Sequence, residues 1–153
     1  MFIDRYSHFK NATPVQLEMD FDAAPPENPA LVKRRARGRR AYLAGQAAED
    51  AVDRLYQKKG YEILARRWRG GGGEIDLIYR GDGGCVFVEV KQSADFDRAV
   101  QSLRPAQIRR LMQAASVFVA DEPMGQMTAM RFDVALVNGR GETEICENAL
   151  WAA

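Results

Sequence analysis

Two apolar runs joined by a glycine-rich turn restrict the fold of this chain more than any other part of its sequence. The runs are residues 74–78 and 85–91, and the turn between them is Gly81-Asp82-Gly83-Gly84. Asp-Gly between alternating strands is the strongest short-range signal for a β-hairpin. Because successive side chains of a strand point to opposite faces, one face of the second strand carries Cys85, Phe87, Glu89 and Lys91. By the same rule, one face of the first strand carries Glu74, Asp76 and Ile78.

The predicted register of this hairpin brings two acidic side chains together. A loop of two residues or of four gives the same facing pairs, which are Arg80 and Cys85, Ile78 and Phe87, Asp76 and Glu89, and Glu74 and Lys91. Directly opposed Cβ atoms lie about 4.5–5.5 Å apart, and like charges at that separation cost stability. A cation between Asp76 and Glu89 would remove the repulsion, so the sequence predicts a metal site with Lys91 beside it.

Two interpretations of these charges are open on spacing alone. Glu74 and Lys91 could form a cross-strand ion pair on a solvated face, as charged residues of half-exposed strands often do. The alternative is a site for Mg²⁺ or Mn²⁺, hard cations that take carboxylates and otherwise keep water or phosphate oxygen as ligands. The apolar neighbours of Asp76 and Glu89 favour the metal, because a buried acid is expensive unless it is paired or bound to a cation. Two acids, a lysine and a metal are what phosphodiester hydrolysis requires.

A series of motifs points to a known family. In chain order they are Gly45-x-x-Ala48-Glu49, Gly60-Tyr61-x-Ile63-Leu64, Gly73-Glu74-Ile75-Asp76-Leu77-Ile78, Val86-Phe87-Val88-Glu89-Val90-Lys91 and Arg131-Phe132-Asp133-Val134. Together they resemble the bacterial YraN-like family of predicted endonucleases. That family is predicted to have the restriction-endonuclease-like, PD-(D/E)XK fold of Holliday junction resolvases. The resemblance covers roughly residues 39–138.

The resemblance implies roles for individual residues. It implies a metal site formed by Asp76 and Glu89, with Lys91 as the catalytic lysine. It also implies that Glu49, on the preceding helix, is an accessory acid, although its helical position alone would make it an ordinary surface residue. The chain departs from the family at Ser93, where the family usually has a basic residue. That departure removes a group that could contact phosphate or take part in catalysis.

The other periodicities predict an α/β domain. Helices are predicted over residues 40–59 and 105–120, and strands over residues 61–68, 130–137 and 143–146 in addition to the hairpin. The predicted core faces are Leu43, Ala47, Ala48, Ala51, Val52 and Leu55 on the first helix, and Ile108, Leu111, Met112, Ala115 and Val119 on the second. With the resemblance, this order predicts a restriction-endonuclease-like fold, a central mixed β-sheet flanked by helices with an αβββαβ core. Residues 70–73 lack the Lys-Ser/Thr of a P-loop and are predicted to be a flexible loop next to the site.

Charge is distributed unevenly along the chain. The net charge is −3 over residues 1–32, +6 over residues 33–40 and −2 over the remainder. A proline-rich stretch at residues 23–29 is typical of a linker. We therefore predict a flexible N-terminal arm with the basic block, residues 1–38, and an endonuclease-like domain, residues 39–153.

The basic residues predict a nucleic-acid partner, DNA in the first instance. A dense basic block beside such a fold suits phosphate binding, although a solubilising tract is the alternative. The predicted contacts are Lys33, Arg34, Arg35, Arg37, Arg39 and Arg40 in the block, and Arg67 and Arg69 near the site. Trp68 would stack on a base or, as is more usual for a strand Trp, pack in the core. Arg104, Gln107 and Arg110 would face either substrate or water.

A short apolar island in the arm suggests a second partner. Gln16-Leu17-Glu18-Met19-Asp20-Phe21 resembles the hexapeptide that docks on the bacterial sliding clamp, Gln-Leu-x-Leu-x-Phe. In this mode Gln16 anchors the backbone, while Leu17, Met19 and Phe21 present the apolar side chains. Six-residue matches also arise by chance.

Several function classes are disfavoured. The one histidine, His8, lies in the arm, which argues against a catalytic triad or a histidine-rich metal site. Cys85 and Cys146 are isolated, as expected of reduced thiols in a cytoplasmic protein. No apolar run approaches the roughly 18 residues of a membrane span, and no secretory signal is expected.

Two functions fit these observations. The first is a Mg²⁺- or Mn²⁺-dependent endonuclease acting on DNA, with structured or branched DNA in repair or recombination as its substrate. The second is a non-catalytic nucleic-acid-binding or sliding-clamp-associated adaptor on the same fold. Ser93 favours the adaptor, and the intact set of two acids and a lysine favours the nuclease. A homodimer is expected only by analogy with junction-cutting relatives of the fold.

Overall fold

The computed structural model describes residues 27–81, 83–93 and 103–151. Its helices are α1 (Pro29–Lys58) and α2 (Pro105–Val119). Its strands are β1 (Glu62–Gly70), β2 (Gly73–Gly81), β3 (Gly84–Gln92), β4 (Ala129–Val137) and β5 (Thr143–Cys146). Short 3₁₀ turns cover Gly125–Met127 and Ala149–Trp151.

The strands form one mixed sheet in the order β1-β2-β3-β4-β5. All neighbours are antiparallel except β3 and β4, which are parallel. Parallel neighbours need a crossover connection, and α2 lies between these two strands in the chain. The architecture confirms the predicted α/β class with the element order αβββαβ, and it is compatible with a restriction-endonuclease-like fold.

The sheet separates two apolar layers. Between the sheet and α1 lie Ala48, Val52, Tyr56, Leu77, Tyr79, Val86, Val88, Ala135 and Val137. On the α2 side lie Ile75, Ile78, Cys85, Phe87, Leu111, Ala114, Ala115, Val119 and Phe132. The side chains of β3 therefore alternate between the two layers as predicted. Cys85 is buried and Cys146 half-buried, and both are free thiols.

Helix α1 begins eleven residues before the predicted start at Arg40, which was therefore wrong. Asn28 caps the helix by accepting a hydrogen bond from the Ala30 N–H at 2.9 Å, and Pro29 occupies its first turn. The basic block is consequently helical. This half of α1 is exposed and does not pack on the sheet, so it has no apolar periodicity to reveal it. The predicted division into arm and domain at residue 38 stays a prediction, since residues 1–26 lie outside the described ranges.

The core faces of both helices differ in part from those predicted. On α1, Leu43 is 51% exposed and Ala47 is exposed, because the buried face of the helix begins only at Ala48. On α2, Met112 is 39% exposed, whereas the unpredicted Ala114 is fully buried. Small side chains at this position let the helix approach the sheet closely. None of the helices in the described ranges is both long and apolar enough to cross a membrane.

Candidate functional site

The hairpin register is as predicted near the turn, and the regular ladder ends before Asp76. The ladder runs from Gly81 opposite Gly84 to Leu77 opposite Val88, which confirms the pairs of Ile78 with Phe87 and of Arg80 with Cys85.

Beyond Leu77 the ladder between β2 and β3 ends. The Val90 N–H donates instead to Asp76 Oδ2 at 2.8 Å. The Asp76 carboxylate thus accepts the hydrogen bond that the Val90 N–H would otherwise donate to a backbone carbonyl of β2. The regular ladder therefore stops short of the predicted pairs of Asp76 with Glu89 and of Glu74 with Lys91, although the two acids remain on neighbouring strands.

The sheet is irregular beside this point. Ile75 joins Ile78 in the layer under α2, although strict alternation would put it with Leu77 under α1. On the neighbouring strand, Arg67 has a left-handed backbone with φ of 47°, which is uncommon for a residue with a side chain. We infer that the β1–β2 ribbon twists here and that this twist positions the side chains of the site.

An open cleft of about 510 Å³ lies at this end of the sheet. It is lined by Arg69, Gly72, Gly73, Glu74, Asp76, Glu89, Gln107, Arg110 and Leu111. Both predicted metal ligands therefore line one cleft. Strands β2 and β3 supply the acids, the β1–β2 turn supplies one wall and α2 supplies the other.

Glu89 is held by two donors. Its Oε1 accepts hydrogen bonds from Lys91 Nζ at 2.6 Å and from Gln107 Nε2 at 2.7 Å. Lys91 thus pairs with Glu89, which lies two residues earlier on the same strand. The ion-pair interpretation had required Glu74 as its partner. Glu74 pairs with Arg69, whose Nε lies 2.7 Å from Oε2, and with Arg67 at 3.4 Å.

Glu49 approaches the site from α1, and its side chain is only 12% exposed. Its Oε1 lies 3.8 Å from Arg67 Nε. Burial raises the pKa of Glu49; the charge of Arg67 opposes the rise, and the charge of Asp76 adds to it. Glu49 thus lies near Asp76 but does not line the cleft, and the accessory role that the resemblance implied stays a prediction.

Buried hydrogen bonds fix α1 in this position. On the turn after Glu49, Asp53 accepts a hydrogen bond from the Tyr79 hydroxyl at 2.9 Å. Further along the helix, the Tyr56 hydroxyl donates to Asp133 Oδ2 on β4 at 2.7 Å. A buried carboxylate must be paired, so each bond selects one placement of the helix on the sheet.

The two acids of the cleft lie in surroundings that solvate a negative charge poorly. Burial raises the pKa of Asp76, and the hydrogen bond from Val90 and the charge of Lys91 oppose the rise. Burial also raises the pKa of Glu89, and the charge of Asp76 adds to that rise. A cation shared by the two carboxylates would offset both effects.

The donor set suits one kind of metal. Within residues 27–81, 83–93 and 103–151, no group of three or more His, Cys, Asp or Glu side chains is placed to hold a metal ion. An all-protein cage of the zinc type is thus not built from these residues. Two carboxylates in an open cleft fit Mg²⁺ or Mn²⁺, which take few protein ligands and complete their shell with water and phosphate oxygen.

The predicted nucleic-acid contacts are divided between two places. The six basic residues of the block are exposed on the first half of α1. Arg69 lines the cleft, and Arg67 lies beside it with its guanidinium 5.3 Å from the centre of the Tyr42 ring. Trp68 packs edge-on against Phe118 at 5.4 Å, so the core interpretation is confirmed. Gln16, Leu17, Met19 and Phe21 lie outside the described residues.

The contribution of α2 is the main feature that the sequence left undecided. Gln107 and Arg110 line the cleft, whereas Arg104 does not. Residues three apart share a helix face, so the spacing of Gln107, Arg110 and the buried Leu111 was the available signal. It showed that these side chains lie together, but not that they face β3.

Comparison with known proteins shows the family. The sequence model of the "Uncharacterised protein family UPF0102" matches residues 48–137, a range that contains Glu49, Asp76, Glu89 and Lys91. A UPF0102 protein of Ruegeria pomeroyi is 59% identical over 114 residues, covering 74% of this chain and 93% of the relative. A UPF0102 protein of Roseobacter denitrificans is 53% identical over 113 residues, covering 74% and 88%. One of Cereibacter sphaeroides is 51% identical over 115 residues, covering 75% and 98%. These matches support the YraN-like resemblance, and the chain belongs to the UPF0102 family.

Proposed function

We propose that this chain is a Mg²⁺- or Mn²⁺-dependent nuclease that hydrolyses phosphodiester bonds in DNA, with structured or branched DNA of repair and recombination as its substrate class. One observation carries the proposal. Asp76 and Glu89 line the same open cleft, burial raises the pKa of both, and Lys91 lies 2.6 Å from Glu89.

Each residue has a role that its position permits. Asp76 and Glu89 would hold the ion, which when bound polarises a phosphoryl oxygen and activates water. Lys91 orients the water or balances the negative charge that develops on the phosphate, and Gln107 holds Glu89 in place through its 2.7 Å hydrogen bond. Glu49, kept partly from solvent on α1, has a raised pKa that suits a group exchanging protons with water.

DNA would be bound by two groups of basic residues. These are the block on α1, from Lys33 to Arg40, and the pair Arg67 and Arg69 on β1. Arginine and lysine contacts to phosphate are independent of sequence, so they would hold the strand without selecting its bases.

The test is cleavage of labelled single strand, duplex, flap, four-way junction and RNA with Mg²⁺ or Mn²⁺. We expect Asp76→Ala and Glu89→Ala each to reduce cleavage by about 100-fold or more, because the ion supplies several kcal/mol to the transition state. DNA binding should survive. Glu62→Ala, an exposed acid of the same sheet outside the cleft, is the control and should cut normally. Full activity of either site variant would refute the site.

A second candidate is the nucleic-acid-binding or sliding-clamp-associated adaptor. The observation in its favour is Ser93, which stands where the resembled family usually has a basic residue. Binding without cleavage in either metal would support it. Docking of residues 16–21 on a sliding clamp, homodimer formation and a cytoplasmic location belong to both candidates as predictions.

A further inference from the structure

The cleft contains two arginines in different electrostatic states. Arg69 is neutralised by Glu74, with 2.7 Å between Nε and Oε2. Arg110 lines the same cleft from α2. It makes no ion pair with any acidic side chain of the described residues. Of the two, Arg110 is the one whose charge is available to a ligand.

The backbone of Arg110 is fixed against the start of β2. A Cβ on Gly73 would lie 2.7 Å from the Arg110 carbonyl oxygen and 3.1 Å from the Ala114 Cβ, so only glycine permits this contact. Leu111, the next residue, is buried. The backbone of Arg110 is therefore held against Gly73, which lies three residues before Asp76 on β2. Arg110 itself is exposed.

The negative charge of the cleft favours an unpaired cationic side chain as a phosphate contact. Glu74, Asp76 and Glu89 all line it, so an approaching phosphodiester meets negative charge. A metal on Asp76 and Glu89 would serve one phosphate only. A neighbouring phosphate of the same strand would meet only Arg67 and Arg69, and both of these are already paired with Glu74.

We propose that Arg110 forms a second phosphate subsite, which binds the backbone phosphate next to the one held at Asp76 and Glu89. The subsite rests on the proposed function. The guanidinium is planar, permanently charged and able to bind phosphate through two parallel hydrogen bonds. The contact is to the backbone, so it adds affinity without sequence preference.

The neighbouring Arg109 provides a matched control. It is exposed on the same helix but does not line the cleft, since consecutive helix residues point about 100° apart. Both variants, Arg110→Ala and Arg109→Ala, would be made in an Asp76→Ala chain so that binding is measured without cleavage. The probe is the fluorescein-labelled DNA of the panel that Asp76→Ala binds most tightly, followed by anisotropy at several salt concentrations.

We expect Arg110→Ala to weaken binding by about three- to tenfold and to reduce the slope of log K against log salt by about 0.7–0.9, the loss of one phosphate contact. Arg109→Ala should leave the slope unchanged, and Arg110→Lys should restore it. Circular dichroism melting establishes that each variant is folded. Equal slopes for Arg110→Ala and Arg109→Ala would overturn the subsite while leaving the nuclease intact. Failure of Asp76→Ala to bind any DNA or RNA of the panel would overturn both proposals.

Discussion

The acids of the cleft are arranged at the expense of stability. An acid whose pKa is raised on folding favours the folded state while it is protonated, and loses that contribution as the pH rises through the folded-state pKa. Asp76 and Glu89 both have a raised pKa, caused first by burial. At neutral pH and without metal, each therefore destabilises the fold.

The variant Asp76→Asn tests this at the level of one side chain. Its amide oxygen can still accept the Val90 N–H, but it carries no charge. In EDTA at pH 7 we expect Asp76→Asn to melt at a higher temperature than the wild type. The difference should shrink as the pH falls from the raised folded-state pKa to the ordinary carboxyl range, below which Asp76 is protonated in both states. Calorimetry over a pH series measures it.

Metal should reverse this order. Mg²⁺ or Mn²⁺ that binds the folded wild type raises its melting temperature by mass action, and Asp76→Asn should gain less. Asp121→Asn, an exposed acid at the end of α2, is the control and should follow the wild type. A lower melting temperature for Asp76→Asn in EDTA would contradict the stability cost.

At the scale of elements, the packing of α2 on the β1–β2 turn shapes the cleft. The turn was predicted to be a flexible loop next to the site, and the location is confirmed by Gly72 and Gly73 in the cleft wall. The turn packs more closely against the backbone of α2 than expected of a flexible loop. A Cβ on Gly71 would lie 3.1 Å from the Gln113 carbonyl oxygen, and one on Gly73 would lie 2.7 Å from that of Arg110.

Gly73→Ala should therefore push α2 away from β2. Because the clash is with backbone, we expect the free energy of unfolding to fall by about 1–3 kcal/mol. Cleavage should fall as well, since Gln107 would be drawn away from Glu89. Gly139→Ala has nothing within 4 Å of the added Cβ and should change stability by less than about 0.5 kcal/mol. Urea unfolding of the two variants makes the comparison. Equal stability would contradict the prediction, because it would show that α2 shifts to accommodate the added methyl group without a loss of stability.

At the scale of the whole molecule, α1 links the basic block to the end of the sheet that carries the cleft. The helix is continuous from Pro29 to Lys58. Arg40 therefore lies about 14 Å from Glu49 along the axis, and Lys33 about 24 Å. Duplex DNA rises about 3.4 Å per base pair, so these distances correspond to about four to seven base pairs.

A substrate that touches both the acids and the block must extend that far on one side of the cut. We expect cleavage efficiency to rise as the flanking duplex on that side grows to about seven base pairs, and then to level off. Arg37→Ala/Arg40→Ala should remove this dependence on length. Arg54→Ala/Lys58→Ala, at the other end of α1, is the matched control and should retain it. Gel assays on a length series decide, and an equal dependence in both double variants would contradict the role of the block.

The features that the sequence determined by itself are local ones. The Asp82-Gly83 turn and the alternation of residues 85–91 predict the hairpin, since turn geometry and side-chain period are properties of a short segment. The start of α1 could have been read in the same way, from Asn28 followed by Pro29. Asp76 and Glu89 follow from the hairpin as acids on adjacent strands.

Tertiary structure decided which distant side chains meet at those acids. The approach of Glu49 and the placement of Gln107 and Arg110 depend on how each helix packs on its face of the sheet. The hydrogen bond of Asp76 also depends on tertiary structure, because its carboxylate accepts the Val90 N–H in place of a backbone carbonyl of the neighbouring strand. Helix periodicity shows which residues of a helix lie together, but the depth and rotation at which the helix docks are set by side-chain volumes across the interface. Those volumes belong to segments far apart in the chain.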